Sequence, residues 1–195
     1  MDYCGKDFID RIRTILSSRK RRIIEHPRFS HAAVLVPLFE KGADCHLLFT
    51  KRSDHVKYHK GEISFPGGVV DEEDLELIST ALREAHEEIG LREEDVQIIG
   101  ILDDIVTITE FIVTPIVGLF PYPYPFKVSE VEIAELIEVP LSSLLDDECF
   151  SEQEIIRGGQ KEVVYAYQYE KHLIWGATAR ILKQFLDLIP STRDT

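Results

Sequence analysis

Three glutamates, Glu84, Glu87 and Glu88, lie shortly after a pair of glycines, Gly67 and Gly68. Side chains three and four residues apart share one face of a helix, so the three carboxylates converge if this segment is helical. Crowded carboxylates repel one another unless a cation lies between them, and a hard divalent ion prefers oxygen ligands. The pattern predicts a site for Mg²⁺ or Mn²⁺ with Glu84, Glu88 and Glu87 as ligands. Because glycine lets a ligand approach the backbone closely, the carbonyl of Gly68 is a further candidate metal ligand.

The same segment carries an apolar stripe. Ile78, Leu82, Ala85 and Ile89 recur at spacings of three and four, which indicates a helix that buries one face. Gly90 stands just past the last apolar position, where helices commonly end in a residue with positive φ. The acidic side chains are therefore expected to point away from the core, toward solvent or a cleft. An acidic helix face is more often only a solvated surface. The residues around the three glutamates are therefore needed to distinguish a solvated surface from a metal site.

The surrounding motif, residues 67–91, resembles the Nudix box. That pattern is a glycine, five residues, a glutamate, seven residues, and then Arg-Glu-apolar-x-Glu-Glu-x-Gly-apolar. The segment from Arg83 to Leu91 matches every defined position. The first half departs from the pattern, because Asp74 stands at the glutamate position counted from Gly68 and eight residues separate it from Arg83. The resemblance implies a Nudix hydrolase with a Nudix-type fold.

A second motif lies upstream of the box. The stretch LFTKRS at residues 48–53 is followed at regular spacings by Lys57, Gly61 and the FPGG of residues 65–68. This is similar to the signature of the coenzyme A pyrophosphatase branch of the Nudix hydrolases, with Phe49 in place of a leucine and Lys57 in place of an arginine. The longer box loop with an aspartate is also similar to this branch. The resemblance implies hydrolysis of coenzyme A or its derivatives to 3′,5′-ADP and 4′-phosphopantetheine, or acyl-phosphopantetheine.

The family resemblance also implies catalytic roles within the box. Arg83 would hold the carboxylates in place by ion pairing, because a guanidinium can clamp a carboxylate through two hydrogen bonds. Glu84 would bind metal, and Glu87 would either bind metal or accept the proton of the attacking water. A downstream acid, Glu130 or Glu132, is the alternative base.

Three cations that precede the box are predicted to bind substrate: Lys51, Arg52 and Lys57. They are placed to meet the phosphates of a nucleotide, since Lys and Arg are common phosphate contacts. Charged residues at the end of a strand are an equally common explanation. The expected substrate is therefore a small nucleotide derivative of the coenzyme A class.

Two other functions stay open at this point. One is a Nudix pyrophosphatase for another nucleoside diphosphate derivative, such as ADP-ribose, a nucleotide sugar or a damaged nucleotide; the motif of residues 48–68 disfavours it. The other is a non-catalytic Nudix domain that senses a nucleotide. The presence of Glu84, Glu87 and Glu88 disfavours that function, because a pure binder does not need a metal cluster.

The composition limits which binding partners and which cellular compartment are expected. A net charge of −13 disfavours nucleic acid and anionic membranes, which repel an acidic surface. A homodimer is compatible with the sequence. Cys4, Cys45 and Cys149 are widely spaced and odd in number, so free thiols in a reducing compartment are expected. Because neither a membrane-spanning apolar run nor a signal-peptide core is evident, the cytoplasm is the expected location.

The remaining pattern predicts an α/β protein, an α/β/α sandwich around a mixed β-sheet, folded as a single domain over residues 1–195. Residues 1–29 are expected to form a helical extension whose basic run, residues 19–22, complements the dipole of its helix. Residues 133–139 are ambiguous between strand and helix. The other predicted elements are strands over 31–39, 45–52, 96–102 and 112–120, a hairpin over 155–169 and a closing helix over 174–189.

Overall fold

A mixed eight-stranded β-sheet forms the centre of the computed structural model, which describes residues 5–55, 59–157 and 159–189. Its strands, in chain order, are β1 (Ser30–Lys41), β2 (Asp44–Arg52), β3 (Ile63–Ser64), β4 (Gly67–Val69), β5 (Gln97–Ile101), β6 (Ile105–Val106), β7 (Phe111–Leu119) and β8 (Ile133–Pro140). The order is β3-β2-β1-β7-β5, with β4 on β1, β6 on β7 and β8 on β2. Strands β1 and β7 are parallel, whereas β2 is antiparallel to both β1 and β8. The mixed sheet predicted from the sequence is confirmed.

Helix α2 (Leu77–Ile89) covers one face of this sheet. Three residues of its predicted apolar stripe are buried and Ile78 is partly buried; Ala85 and Ile89 pack in one core with Leu35 and Phe39 of β1. Alternate residues of a strand point to opposite faces, so this core uses every second side chain of the long apolar run in β1.

Helices α1 (Lys6–Ser18) and α4 (Gly176–Leu186) cover the opposite face. Val36 of β1 packs there with Ile12 of α1 and Phe185 of α4. Helices on both faces complete the expected α/β/α sandwich. A short helix, α3 (Leu141–Leu144), follows β8. None of the helices within the described residues is both long and apolar enough to cross a membrane.

A separate three-stranded sheet consists of β9 (Phe150–Arg157), β10 (Gln160–Tyr169) and β11 (His172–Trp175). Strands β9 and β10 form the predicted hairpin. The prediction of a helix from residue 174 is wrong at its start, because Ile174 and Trp175 pair with Tyr167 and Ala166 of β10. The closing helix therefore begins at Gly176. The ambiguous segment 133–139 is a strand, β8.

The N-terminal segment is fastened to the sheet by ion pairs. Helix α1 ends at Ser18, so the basic run follows the helix instead of lying in its last turn. Arg19 pairs with Asp103 at 2.5 Å, and Arg21 pairs with the buried Asp104 at 2.5 Å. The expectation that this run merely complements the helix dipole is therefore wrong for these two residues, which anchor the segment to the loop after β5.

The cysteines differ from one another in state. Cys149 is a free thiol, as expected, and burial raises its pKa. Cys45, a buried residue of β2, is disulfide-bonded, so the expectation of a free thiol is wrong there. Cys4 lies outside the described residues.

Candidate active site

Helix α2 presents its three glutamates in two directions. The side chains of Glu84 and Glu88 lie toward β4 and are only 17% and 3% exposed. Glu87 projects outward and its side chain is 55% exposed. The structure therefore brings Glu84 and Glu88 together, one helical turn apart, with Glu87 at the rim. The expectation that the acids point away from the core is wrong for Glu88, because β4 packs closely against α2 and covers it.

Gly90 ends the helix just after these acids. Its φ of 70° is left-handed, as the sequence predicts, and its N–H donates to the carbonyl of His86 at 2.9 Å. A Cβ atom at this position would lie 2.8 Å from the Cβ of Lys127. Glycine thus satisfies both the backbone conformation and the close approach of the following loop.

Arg83 links the first half of the box to the acidic helix. Its Nε and Nη2 donate to the two carboxylate oxygens of Asp74 at 3.1 and 3.0 Å. Its Nη1 donates to Glu84 at 2.8 Å and to Glu87 at 3.3 Å, and Nη2 also donates to the carbonyl of Val69. These hydrogen bonds hold the pKa of Asp74 below and that of Arg83 above their ordinary ranges. Asp74, the residue that departs from the general box pattern, is thus the bidentate partner of Arg83.

Gly68 provides the close approach on which Glu84 depends. A Cβ atom built on Gly68 would lie 2.4 Å from the carboxyl carbon of Glu84 and 2.5 Å from its Oε1. Any side chain at this position would displace the carboxylate. Burial raises the pKa of Glu84, and the Arg83 guanidinium opposes that effect.

Glu88 is a buried carboxyl with an unsatisfied oxygen. Burial raises its pKa to about 8, and the Arg52 guanidinium, 3.6 Å from Oε1, opposes that rise. The neighbouring carboxylates of Glu84 and Glu132 contribute to this rise. Its Oε2 is buried and has no hydrogen-bond partner. A buried carboxylate oxygen without a donor is costly unless a cation is supplied.

The two downstream acids named as alternative bases lie in different surroundings. Glu130 is exposed to solvent, whereas Glu132 is partly buried and close enough to raise the pKa of both Glu84 and Glu88. The Glu132 carbonyl accepts a hydrogen bond from the backbone N–H of Ser53 at 2.7 Å. The motif of residues 48–53 therefore holds Glu132 next to the acidic helix.

The chemistry of these oxygens suits a hard divalent cation. Across the described ranges, no three His, Cys, Asp or Glu side chains form a ready-made metal-binding group. The donors that suit such an ion are the oxygens of the Glu84 carboxylate, which lie against Gly68, and the unpartnered Oε2 of Glu88. All are hard oxygen donors, the kind that Mg²⁺ and Mn²⁺ accept.

Of the two predicted substrate-binding cations within the described residues, one lies beside the acids. Arg52 faces Glu88 and lines a cleft that adjoins Gly67 and Gly68. Lys51 is paired in register with Glu135 of β8 and is not among the residues that line this cleft. Lys57 lies outside the described residues.

A cleft of about 770 Å³ adjoins Gly67 and Gly68. One wall comes from the central sheet and its loops, including Phe65 and Phe111, and the other comes from the three-stranded sheet, including Tyr165 and Trp175. This second wall was not predicted from the sequence. Its apolar side chains have the same pattern as core residues, so nothing in a single sequence marks them as exposed.

The site combines an acidic helix clamped by an arginine, a glycine turn against its carboxylates and an adjoining cleft, an arrangement that suits a hydrolase with an anionic substrate. A family model of the NUDIX domain matches residues 29–147. The chain is 40% identical over 178 residues to an uncharacterized Nudix hydrolase NudL of Photorhabdus laumondii, covering 91% of this chain and 94% of that protein. It is 35% identical to an uncharacterized Nudix hydrolase NudL of Escherichia coli strain SMS-3-5, covering 91% of each chain. The chain belongs to the Nudix family.

Solved structures share the fold. A MutT/nudix family protein from Enterococcus faecalis superposes with a TM-score of 0.54 and 14% identity, covering 89% of this chain and 66% of that one. The Nudix hydrolase RenU from M. smegmatis superposes with a TM-score of 0.50 and 22% identity, covering 59% and 73%. The family model and the sequence relatives make the protein an enzyme, a pyrophosphohydrolase that acts on phosphorus-containing anhydrides.

Proposed function

We propose that this enzyme hydrolyses the pyrophosphate bond of coenzyme A or its derivatives and releases 3′,5′-ADP and 4′-phosphopantetheine, or the acyl form of the latter. The observation that carries the proposal is the position of the second motif. Residues 48–68 do not merely precede the Nudix box; they supply groups that contact the acidic cluster, and Arg52 of this motif lies 3.6 Å from Glu88.

Other residues of the motif support the same arrangement. The Ser53 hydroxyl donates to the carbonyl of Val131 at 2.5 Å, which holds the start of β8 against the end of β2. Thr50 donates to the carbonyl of Ser64, which fixes β3. Phe65 stacks on Phe49 with ring centroids 4.6 Å apart. Because this motif builds one wall of the site, we expect it to influence which class of substrate binds. Its similarity to the signature of the coenzyme A branch therefore favours coenzyme A over other Nudix substrates.

The metal proposal uses the same oxygens. Glu84 and Glu88 would hold Mg²⁺ or Mn²⁺, with the Gly68 carbonyl as a third donor and Glu87 at the rim. A bound divalent ion supplies charge neutralisation at the phosphate oxygens and a lowered pKa for water. Arg83 contributes by orienting the Glu84 carboxylate, and Gly68 contributes by leaving room for it.

Two acids are proposed to compete for the role of general base. Glu87 is exposed and is held by Arg83 at 3.3 Å. Glu87 raises the pKa of Glu84 more than Glu132 does, but Glu132 raises the pKa of both proposed metal ligands, Glu84 and Glu88. A base has to lie within reach of the water it deprotonates, and this criterion favours Glu132.

The test is a comparison of substrates. The purified protein is incubated with coenzyme A, ADP-ribose and a nucleotide sugar, each with Mg²⁺ or Mn²⁺, and the products are separated by chromatography and identified by mass. Release of 3′,5′-ADP from coenzyme A is the expected result. Cleavage of either other substrate without cleavage of coenzyme A would assign a different Nudix substrate, and no turnover of any would favour a nucleotide sensor.

A further inference from the structure

Exposed apolar side chains are concentrated in the cleft beside Gly68. Within the described residues, nine large hydrophobic side chains are exposed, and five of them line this cleft: Val69, Ile108, Val163, Leu173 and Trp175. Their exposed fractions run from 38% to 76%. Contiguous exposed apolar surface generally marks a binding site. The volume of about 770 Å³ lies within the ~300–1,000 Å³ typical of small-molecule sites.

The wall that carries Val163, Leu173 and Trp175 is an addition to the Nudix domain. Trp175 pairs with Ala166 across β10 and β11, and Ala166 pairs with Ser151 of β9. All three line the cleft, as expected for cross-strand neighbours on one face of a sheet. They lie beyond residues 29–147, the part that matches the family domain. This wall is therefore placed to determine substrate specificity and not the shared chemistry.

The cleft is continuous with the proposed site of hydrolysis. Gly67 and Gly68 line it, and the Glu84 carboxylate lies directly against Gly68. Arg52 lines it as well and is 3.6 Å from Glu88. A substrate whose pyrophosphate lies at this site would therefore extend its pantetheine arm, which ends in the thioester, along the cleft toward the three-stranded sheet.

Charge indicates which half of the substrate fits. The only Lys or Arg among the described residues that line the cleft are Arg52 and Arg180. Arg52 faces Glu88, and Arg180 donates to the carbonyl of Val106 at 2.8 Å. The nucleotide half of coenzyme A carries a 3′-phosphate, which requires cations. Among the described residues, the cleft offers no cation beyond these two arginines and instead offers aliphatic and aromatic surface, which suits an apolar chain.

We propose that the three-stranded sheet, through Leu173 and Trp175, binds the apolar acyl chain of a coenzyme A thioester. This inference rests on the proposed function and deepens it: the enzyme prefers acyl-coenzyme A to free coenzyme A, and the preference increases with chain length. Each methylene that is fully buried raises kcat/KM or affinity about fourfold.

The first test is a chain-length series. We expect kcat/KM to rise at least tenfold from acetyl- to octanoyl-coenzyme A, and Leu173→Asp to lower the ratio of octanoyl- to free coenzyme A by about tenfold. Ile156→Asp is the matched control, because Ile156 is 79% exposed on β9 and does not line the cleft; it should keep the wild-type ratio. Cleavage of coenzyme A with no dependence on chain length would overturn this inference alone. Failure to cleave any coenzyme A species would overturn the proposed function with it.

The second test measures ligand binding in the cleft in the absence of hydrolysis. Trp175 is the single tryptophan of the chain and is 53% exposed, so its fluorescence reports directly on the cleft. In the presence of a chelator, octanoyl-coenzyme A should shift its emission to shorter wavelength as the acyl chain excludes water. A shift with 3′,5′-ADP alone would show that the cleft binds the nucleotide, and a shift with protein concentration alone would show that a second copy covers it. Either result, or no shift with octanoyl-coenzyme A, contradicts the proposal.

Discussion

Glu88 combines three properties at one carboxyl: burial, an arginine at 3.6 Å and an oxygen without a hydrogen-bond partner. A purely structural buried acid would have its oxygens satisfied. The incomplete satisfaction of Glu88 is what the proposed metal site explains. Neither the helical spacing nor the motif predicts how deeply this residue is buried, because the covering strand β4 is brought there by tertiary packing.

Glu88→Gln is expected to lower kcat by at least a hundredfold while leaving the thermal unfolding temperature within a few degrees of wild type. The amide nearly preserves shape and removes a charge whose burial is costly. Turnover across a Mg²⁺ titration and thermal unfolding of the same samples check this expectation. Near-normal activity at low Mg²⁺ would refute the assignment of Glu88 as a ligand.

Glu132→Gln is expected to lower kcat by roughly 10²–10³-fold with little change in KM, the range that loss of a general base produces. Glu130→Gln is the matched control, since Glu130 is exposed and should retain activity within about twofold. Steady-state kinetics on both variants gives the answer. Equal activities of the two variants would return the role of base to Glu87.

At the scale of elements, the box depends on how its loop is joined to helix α2. Two hydrogen bonds between Asp74 and Arg83 join the loop to the helix, and Gly68 lets strand β4 pack closely against it. The apolar periodicity of α2 and its glycine end are visible in the sequence and were predicted. Ion pairing of Arg83 with the box carboxylates was predicted, but its bidentate pairing with Asp74 was not, because the longer loop changes the spacing on which such a prediction rests.

Asp74→Asn is expected to destabilise the protein by about 2 kcal/mol, the typical contribution of hydrogen bonds to a charged group, and to lower kcat as Glu84 loses its fixed orientation. Pairing with Arg83 lowers the pKa of Asp74 in the folded state. The stability it contributes is therefore present above the unfolded-state pKa of about 3.9 and is lost as the pH falls. Urea unfolding of wild type and variant at pH 7 and below pH 4 measures both effects. An equal difference in stability at the two pH values would contradict this role.

Gly68→Ala is expected to abolish most activity with a folded protein, because its Cβ would lie 2.4 Å from the carboxyl carbon of Glu84. Displacement of that carboxylate should also weaken Mg²⁺ binding. Isothermal titration with Mg²⁺, alongside circular dichroism, separates the two effects. Wild-type metal affinity in this variant would remove Gly68 from the proposed site.

At the scale of the whole molecule, the Nudix sandwich supplies the acidic helix and the three-stranded sheet supplies the far wall of the cleft. The sandwich was predictable because its strands are apolar runs bounded by turns and its helices have clear periodicity. The start of α4 was not, since the apolar residues Ile174 and Trp175 fit a helix as well as a strand until their pairing with β10 is seen. The cleft itself was not predictable, because it arises between elements that are far apart in sequence.

The most direct measurement is the mass of the products formed from coenzyme A with Mg²⁺, by wild type and by Glu88→Gln in parallel. We expect 3′,5′-ADP and 4′-phosphopantetheine in equal amounts from wild type and almost none from the variant. Intact coenzyme A after incubation with active wild-type enzyme, or equal product from both proteins, would contradict it.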